Sequence, residues 1–312
     1  MKSADDHKGK VLKATRKTYD VAFEDRIIQC TIRGKLAADG EDNIAVKVGD
    51  DVIISLITEN EGLIEKILPR RSQLSRTIES RAYTEHIIAV NINQILIILA
   101  TKNPKFKSGL LDRYLVIAEK NNLKPVICIN KTDLSPAKNF QEYQEYYSKL
   151  DYPVYFTSAL TGEGIPELAK ALQHTVTALV GQSGVGKSSL IKAIEPELDI
   201  KVASVSERTH KGQHTTTVVQ LFPLSRGSYV IDTPGVRELG FWGIYKKDLA
   251  QYFIEIQKYG RECQFADCTH IHEPGCAVLK AVKGGEMFEE RYSNYLNIYE
   301  SLKSAHYEKI SR

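Results

Sequence analysis

Three stretches of the chain combine residue types and spacings that nucleotide chemistry uses. The first is Gly181-Gln182-Ser183-Gly184-Val185-Gly186-Lys187-Ser188-Ser189. Glycines so spaced let backbone N–H groups wrap phosphates, while Lys187 reaches the β- and γ-phosphates, Ser188 holds Mg²⁺ and a helix opening at Lys187 adds a favourable field. The second is Asp232-Thr233-Pro234-Gly235, where Asp232 can reach Mg²⁺ through water and the Gly235 N–H can face the γ-phosphate. The third, Asn130-Lys131-Thr132-Asp133, selects the base. A carboxylate such as Asp133 accepts two hydrogen bonds from the N1–H and N2–H₂ edge of guanine, and adenine offers no such donor pair. Asn130 is expected to brace the site and contact the base, with the Lys131 stem lying over it and Ser158-Ala159 supplying a backbone N–H for guanine O6. Together these stretches specify GTP rather than ATP.

A fourth cluster points to a metal. Cys263-x₄-Cys268-x-His270-x₅-Cys276 offers three thiolates and one imidazole, a full tetrahedral shell for one structural Zn²⁺ with no position open for a substrate water. His272 competes with His270 for the fourth place. The other two of the five cysteines, Cys30 and Cys128, stand alone in apolar stretches. An odd count behind an N-terminus without an apolar leader core favours reduced thiols and a metal site over disulfides.

These residues need elements to carry them. From Ile95 onward, β-type runs (95–100, 125–129, 154–156, 175–180) alternate with helical ones (110–121, 140–150, 165–172, 187–194), followed by β-runs at 218–222 and 229–231. Such alternation predicts a parallel sheet with helices on both faces, with the base-reading and phosphate loops at strand ends. Ahead of it, short β-rich runs at 27–32, 44–48, 52–57 and 63–68 suggest a small barrel. Pro69 to Arg81, with Arg70, Arg71, Arg76 and Arg81, reads as a linker whose arginines touch phosphates or water. After Phe241 the chain turns aromatic and helical. Its last helix, near 286–309, carries Tyr292, Tyr295, Tyr299 and Tyr307 beside Arg291 and Lys303, and packing is expected there ahead of an RNA-facing surface.

At 312 residues, with 42% hydrophobic and 26% charged residues, the chain affords two or three packed domains and is no disordered or low-complexity protein. The longest apolar run, Ile95 to Ala100, is far below the ~18 residues a membrane span needs, so a cytoplasmic protein without a membrane partner is expected. Lys plus Arg number 42 against 39 Asp plus Glu, so bulk charge does not by itself point to a nucleic-acid partner and local patches must carry that case; Lys8, Lys10, Lys13, Arg16 and Lys17 form one local basic run.

The order of the motifs is unusual, because the base-reading stretches precede the phosphate loop and the switch elements come last. This is a circular permutation of the ordinary GTPase order, and the loop after Asp232 leads straight into the C-terminal module. Where a Ras-like enzyme carries a water-orienting Gln, this chain has Val236. His214 is the nearest replacement, with Thr215 or Thr216 closing on Mg²⁺; Arg208 and Arg237 also lie near the switch elements.

Asn130–Asp133, Gly181–Ser189, Gly212–Thr217 (GQHTTT), Asp232–Gly240 (DTPGVRELG) and Cys263–Val278 (CQFADCTHIHEPGCAV) resemble the circularly permuted GTPases of small-ribosomal-subunit biogenesis, the small-subunit-dependent GTPase A family, over almost the whole chain. The resemblance implies an N-terminal OB-type barrel (1–70), a circularly permuted P-loop GTPase domain (71–238) and a C-terminal helical zinc module (239–312). It implies a late maturation factor of the small subunit, expected to be monomeric, that binds ribosomal RNA through the barrel and zinc module and whose hydrolysis the subunit stimulates. It also points to the His of the GQHTTT motif for catalysis, and its Cys-Thr-His pattern selects His270 over His272. The chain departs from the family at Gln213, commonly Arg, and at Asn93, usually Asp. The alternatives are a GTP-dependent RNA-binding switch with negligible hydrolysis and a GTPase serving another RNA.

Overall fold

The computed structural model describes residues 7–15, 17–32, 46–78, 84–198, 219–232 and 243–302. Strands β1 (His7–Ala14), β2 (Tyr19–Phe23), β3 (Arg26–Ile32), β4 (Asp51–Leu56) and β5 (Glu61–Ile67) close a barrel in the order β1-β2-β3-β5-β4, with β4 pairing back onto β1. The alternation of side chains decides its inside: Val11, Val21, Ile28, Cys30, Val52, Ile54 and Ile64 are fully buried, whereas Ile27, one residue out of phase, is 56% exposed. Burial pushes the Cys30 thiol up to about 11, with the Asp20 carboxylate adding to it, so this cysteine is a core residue and not a reactive one.

Two expectations fail in this region. Residues 46–50 form a turn in place of part of the strand expected over 44–48, and 44–45 lie outside the described residues. The stretch expected to be a linker contains β6 (Gln73–Ile78), which pairs antiparallel with β7 (Thr84–Val90). The arginines of this stretch masked a strand whose Leu74 is buried in the main core. Arg70 grips the buried Asp50 with both Nε and Nη2 at 2.8 Å, and Arg71 donates to Asp51 at 3.0 Å. Side chains of 76–78 and residue 81 lie outside the description.

The second sheet has the order β10 (Val154–Thr157), β9 (Lys124–Asn130), β8 (Gln94–Ala100), β11 (Val176–Val180), β13 (Ser228–Asp232), β12 (Gln220–Leu224). All but β12 run parallel, and β12 touches β1 of the barrel, with Lys13 opposite Gln220. Strand β8 is buried throughout because both faces are covered: Ile95, Ile97 and Leu99 join one core, and Leu96, Ile98 and Ala100 the other. Helices α1 (Ser108–Lys120) and α2 (Gln141–Lys149) pack on the first face, and α3 (Ile165–Ala171) and α4 (Lys187–Ile194) on the second. Asn93, the departure noted above, pins the start of the sheet: its side chain accepts from Val176 N at 2.8 Å and its own N–H donates to Val176 O at 2.9 Å.

The C-terminal region comprises a 3₁₀ segment (Lys246–Tyr252) and helices α5 (Ile254–Gly260), α6 (Ala277–Lys283) and α7 (Glu289–Ser301) around a third core that includes Val116 of α1. Arg291, one of the residues weighed for an RNA surface, is 0% exposed and bonds Asp112 of α1 and Glu255 of α5. Among the described helices none is long and apolar enough to cross a membrane.

Candidate functional site

Strand β11 runs fully buried to Val180 and delivers the chain into the glycine loop. Two of these glycines are required by geometry. Gly181 has φ +149°, and a Cβ there would lie 2.2 Å from the Ile98 carbonyl oxygen; Gly186 has φ +96°, and a Cβ would lie 2.5 Å from Asn130 Nδ2. Helix α4 starts at Lys187, as the motif requires, with Leu190 N–H bonded to Gly186 O at 2.9 Å. The Lys187 ammonium folds over the loop, donating to the carbonyls of Gly181 (3.0 Å) and Gln182 (3.3 Å). Val185 is buried under the loop, and Ser183, Gly184, Ser188 and Ser189 face outward.

Strand β9 ends at Asn130, which is buried beside this loop. Its Nδ2 donates to Val185 O at 2.9 Å, and its Oδ1 accepts from the Thr157 hydroxyl at 3.1 Å and from Ala159 N–H at 3.4 Å. One amide therefore ties together the phosphate loop, the end of β10 and the loop after it. Lys131 donates to Gly184 O at 2.5 Å and to Asn103 O, so its stem crosses from the base-reading loop to the phosphate loop. The exposed Asp133 carboxylate accepts from the Ser158 hydroxyl at 2.6 Å. Of the two candidate amides for guanine O6, Ser158 N–H is bonded to Glu163 O at 3.0 Å, and Ala159 N–H, among the described residues, makes the long contact of 3.4 Å to Asn130 Oδ1. Residues from three separated stretches, 130–133, 158–159 and 181–187, thus converge at the carboxyl ends of β9, β10 and β11.

Behind Asn130, burial pushes the Cys128 thiol up to about 12, against a hydrogen bond with Thr157 that lowers it; this cysteine is structural. Asp232 closes β13, beside Leu179 of β11. His214, Thr215, Thr216, Gly235, Val236, Arg208, Arg237 and Gln213 lie outside the described residues. Spacing had not singled out Thr157, Thr132 or Glu163, which hold the base-reading loops from behind; only the fold brings them together.

The metal cluster assembles as a unit. Among the described residues, Cys263, Cys268, His270 and Cys276 form one group whose ligand atoms lie within 4.8 Å of one another. Cys263 Sγ is 3.9 Å from Cys276 Sγ, and His270 Nδ1 is 3.5 and 3.6 Å from those two sulfurs. A tetrahedron with bonds of about 2.3 Å has edges of about 3.8 Å, so these separations fit Zn²⁺. His270 is buried and takes φ +60°, whereas His272 is exposed, which agrees with choosing the former. Burial pushes the Cys268 thiol up to about 12 and lowers the His270 imidazole, so a bound cation would favour the Cys268 thiolate, and the neutral ring keeps a lone pair to donate. The cluster is framed by the N-terminus of α6, where Leu279 N–H points at Cys276 Sγ (3.5 Å) and Ala277 N–H at Cys263 Sγ (3.3 Å). Tyr292 and Tyr295 of α7 donate their hydroxyls to the carbonyls of His270 (2.7 Å) and Thr269 (2.8 Å), so these tyrosines are packing residues that hold the ligand loop. Glu273 accepts from the amides of Thr269, Ile271 and His272 and from the Thr269 hydroxyl.

A parallel sheet whose base-reading loops precede its phosphate loop, with a five-stranded barrel ahead of it and a Cys₃His cluster behind, defines a circularly permuted P-loop GTPase. Family models place it further: the RsgA N-terminal domain matches residues 8–64 and the RsgA GTPase matches residues 67–242. The chain belongs to the RsgA GTPase family. A relative from Caldanaerobacter subterraneus, named small ribosomal subunit biogenesis GTPase RsgA, is 38% identical over 295 residues, 95% of each chain. The crystal structure of YjeQ from Thermotoga maritima superposes with a TM-score of 0.77 at 34% identity, covering 95% of this chain and 98% of that one. YloQ, described as a circularly permuted GTPase, gives 0.76 at 31% identity with 96% of both chains covered.

Proposed function

We propose that this GTPase acts late in maturation of the small ribosomal subunit, binding the immature subunit with GTP and leaving after hydrolysis. The observation that carries this reading is the 38% identity, across 95% of both chains, to a relative named for that process. The unit would act in the cytoplasm as a monomer, divided into a barrel (1–70), a permuted GTPase domain (71–238) and a zinc module (239–312), with the barrel and zinc module contacting ribosomal RNA.

In this reading Asp133 accepts the N1–H and N2–H₂ edge of guanine, Ala159 N–H meets O6, Asn130 holds both loops to the phosphate loop, and the Lys131 stem covers the base. The backbone N–H groups of 181–189 cradle the phosphates, and Lys187 exchanges its loop carbonyls for phosphate oxygens. Ser188 and Asp232, with Thr215 or Thr216, hold the Mg²⁺ that offsets charge on the phosphate oxygens, and Gly235 N–H faces the γ-phosphate. His214 orients the attacking water, because Val236 can neither donate nor accept. Cys263, Cys268, His270 and Cys276 hold one structural Zn²⁺ that contributes folding energy to the C-terminal module.

The test is GTP hydrolysis by the intact protein alone, with small subunits and with large subunits, beside Lys187→Ala. Selective stimulation by the small subunit is expected, falling by about a hundredfold or more in His214→Ala. GTP binding with equal, negligible turnover in all three would replace this reading with a nucleotide-dependent RNA-binding switch.

A further inference from the structure

The Asn-Lys-x-Asp spacing leaves its third position to any residue, yet here that residue is engaged on two sides. Thr132 is 7% exposed. Its N–H donates to Thr157 O at 3.1 Å, and its hydroxyl donates to Glu163 Oε2 at 2.7 Å. Glu163 belongs to the other base-reading loop, where its own carbonyl accepts from Ser158 N–H at 3.0 Å and Gly162 N–H closes the turn onto Ser158 O at 2.9 Å. The next residue, Gly164, has φ +68°, and a Cβ there would fall 2.0 Å from Phe156 O, so the backbone on which Glu163 sits has little room to shift. The carboxylate is thus mounted on a closed turn and reaches across to the residue preceding Asp133.

Guanine has to be met at two points that sit on different loops: its donor edge by Asp133 and its O6 by Ala159 N–H. The distance between those two points decides whether both contacts form at once. Asp133 and Ala159 are joined through Ser158 and Asn130, but those groups are themselves at the base edge. The Thr132–Glu163 bond links the same two loops through residues to which no base contact is assigned.

We propose that Thr132 and Glu163 are positioning residues for base selection, a clasp that sets the spacing of Asp133 and Ala159 and thereby discriminates guanine from purines lacking its 2-amino group. The proposal rests on the guanine-reading role given above to Asp133.

Inosine keeps O6 and N1–H and lacks only the 2-amino group, so the ratio of GDP to IDP affinity reports the second hydrogen bond to Asp133 alone. Dissociation constants for GDP and IDP would be measured on the full chain carrying Glu163→Ala, Thr132→Val, both together, Glu163→Gln, Thr132→Ser and Asp133→Asn. Glu163→Ala and Thr132→Val are expected to lower the GDP:IDP ratio about tenfold, the size of one charge-assisted hydrogen bond, and the double variant to fall no further than either single one. Glu163→Gln retains an acceptor and Thr132→Ser a hydroxyl, so both should restore most of the ratio, an outcome that general loosening would not produce. A ratio unchanged in Glu163→Ala and Thr132→Val but altered in Asp133→Asn would overturn the clasp and leave the guanine-reading assignment standing. A ratio unchanged in Asp133→Asn would overturn that assignment, and the clasp with it.

Discussion

The nucleotide loops and the C-terminal docking surface are assembled by opposite means. At the loops, glycines in positive φ and side chains bonded to backbone carbonyls hold a half-exposed cage: Lys187 to Gly181 and Gln182, Lys131 to Gly184, Asn130 to Val185. At the docking surface, Arg291 of α7 is sealed between Asp112 of α1 and Glu255 of α5, residues 179 and 36 positions away. Asp112 also accepts from Tyr147 (2.6 Å) and Asn294 (2.7 Å), and Ser108 and Tyr143 both donate to Glu290. Bonds to carbonyls in reach of water can be exchanged for bonds to a phosphate. Buried charges cannot part without a large penalty. The Lys187 contacts are therefore of a kind that a phosphate can replace, whereas buried charge holds the C-terminal module fixed on the GTPase sheet.

The largest break in this contrast should come from the metal. Stripping Zn²⁺ with a chelator would remove a binding free energy of roughly 10–16 kcal/mol from the C-terminal module, and Cys268→Ser would remove one of its four ligands. The expected result is loss of helical circular dichroism from the C-terminal region, while guanine nucleotide still binds the remaining sheet. A module that stays folded without metal would remove the structural role.

Next in size is Arg291→Ala, which strands two carboxylates. Burial pushes Asp112 up, and Arg291, Tyr147 and Asn294 oppose that rise; without the guanidinium the opposition loses its largest part. A loss of roughly 3–5 kcal/mol in chemical denaturation is expected. Arg291→Lys should recover little of it, since one ammonium cannot replace a fork that reaches both Asp112 and Glu255.

A smaller effect on stability, but a larger one on binding, separates the cage. Gly186→Ala forces a Cβ to 2.5 Å from Asn130 Nδ2 at φ +96°. About 1–2 kcal/mol of stability should be lost, since the strain is confined to one residue. GDP affinity should fall more than tenfold, as the clash prises Asn130 from the loop it braces; isothermal titration beside a denaturation curve would read both.

The same contrast explains what the sequence disclosed. Local signals were legible: the glycine loop placed α4 over Lys187–Ile194 as observed, and the unbroken apolar run before Asn130 marked a strand buried on both faces. The four metal ligands fall within fourteen residues, and the family resemblance separated His270 from His272. Long-range signals were not. Packing was the expectation for this helix, but nothing near Arg291 names Asp112 or Glu255, the two buried carboxylates that the fold supplies to it. The β6 strand was hidden by Arg70, Arg71 and Arg76, because pattern reading sees charge and not the Asp50 and Asp51 that neutralise the first two. Thr132 and Glu163 were missed for the same reason, as their bond joins two loops that only the sheet brings together.

The smallest predicted effect lies where the two styles of construction meet. Glu195 follows α4 directly and accepts from the Ser225 hydroxyl (2.5 Å) and amide (2.8 Å) in the turn between β12 and β13, linking the phosphate-loop helix to the strand that ends at Asp232. The bonds from the Ser225 hydroxyl and amide hold its carboxyl below the usual 4.5. A carboxyl whose value is depressed on folding stabilises the protein above its unfolded value and loses that contribution as pH falls through the folded one. Because the pair faces solvent, the contribution at neutral pH should be about 0.5 kcal/mol or less. The gap in unfolding free energy between the wild-type protein and Glu195→Gln should therefore be present at pH 7 and shrink below pH 4.5 as the wild-type carboxyl takes up its proton. A gap that stays constant across that range would mean that the carboxylate charge adds nothing to this tie.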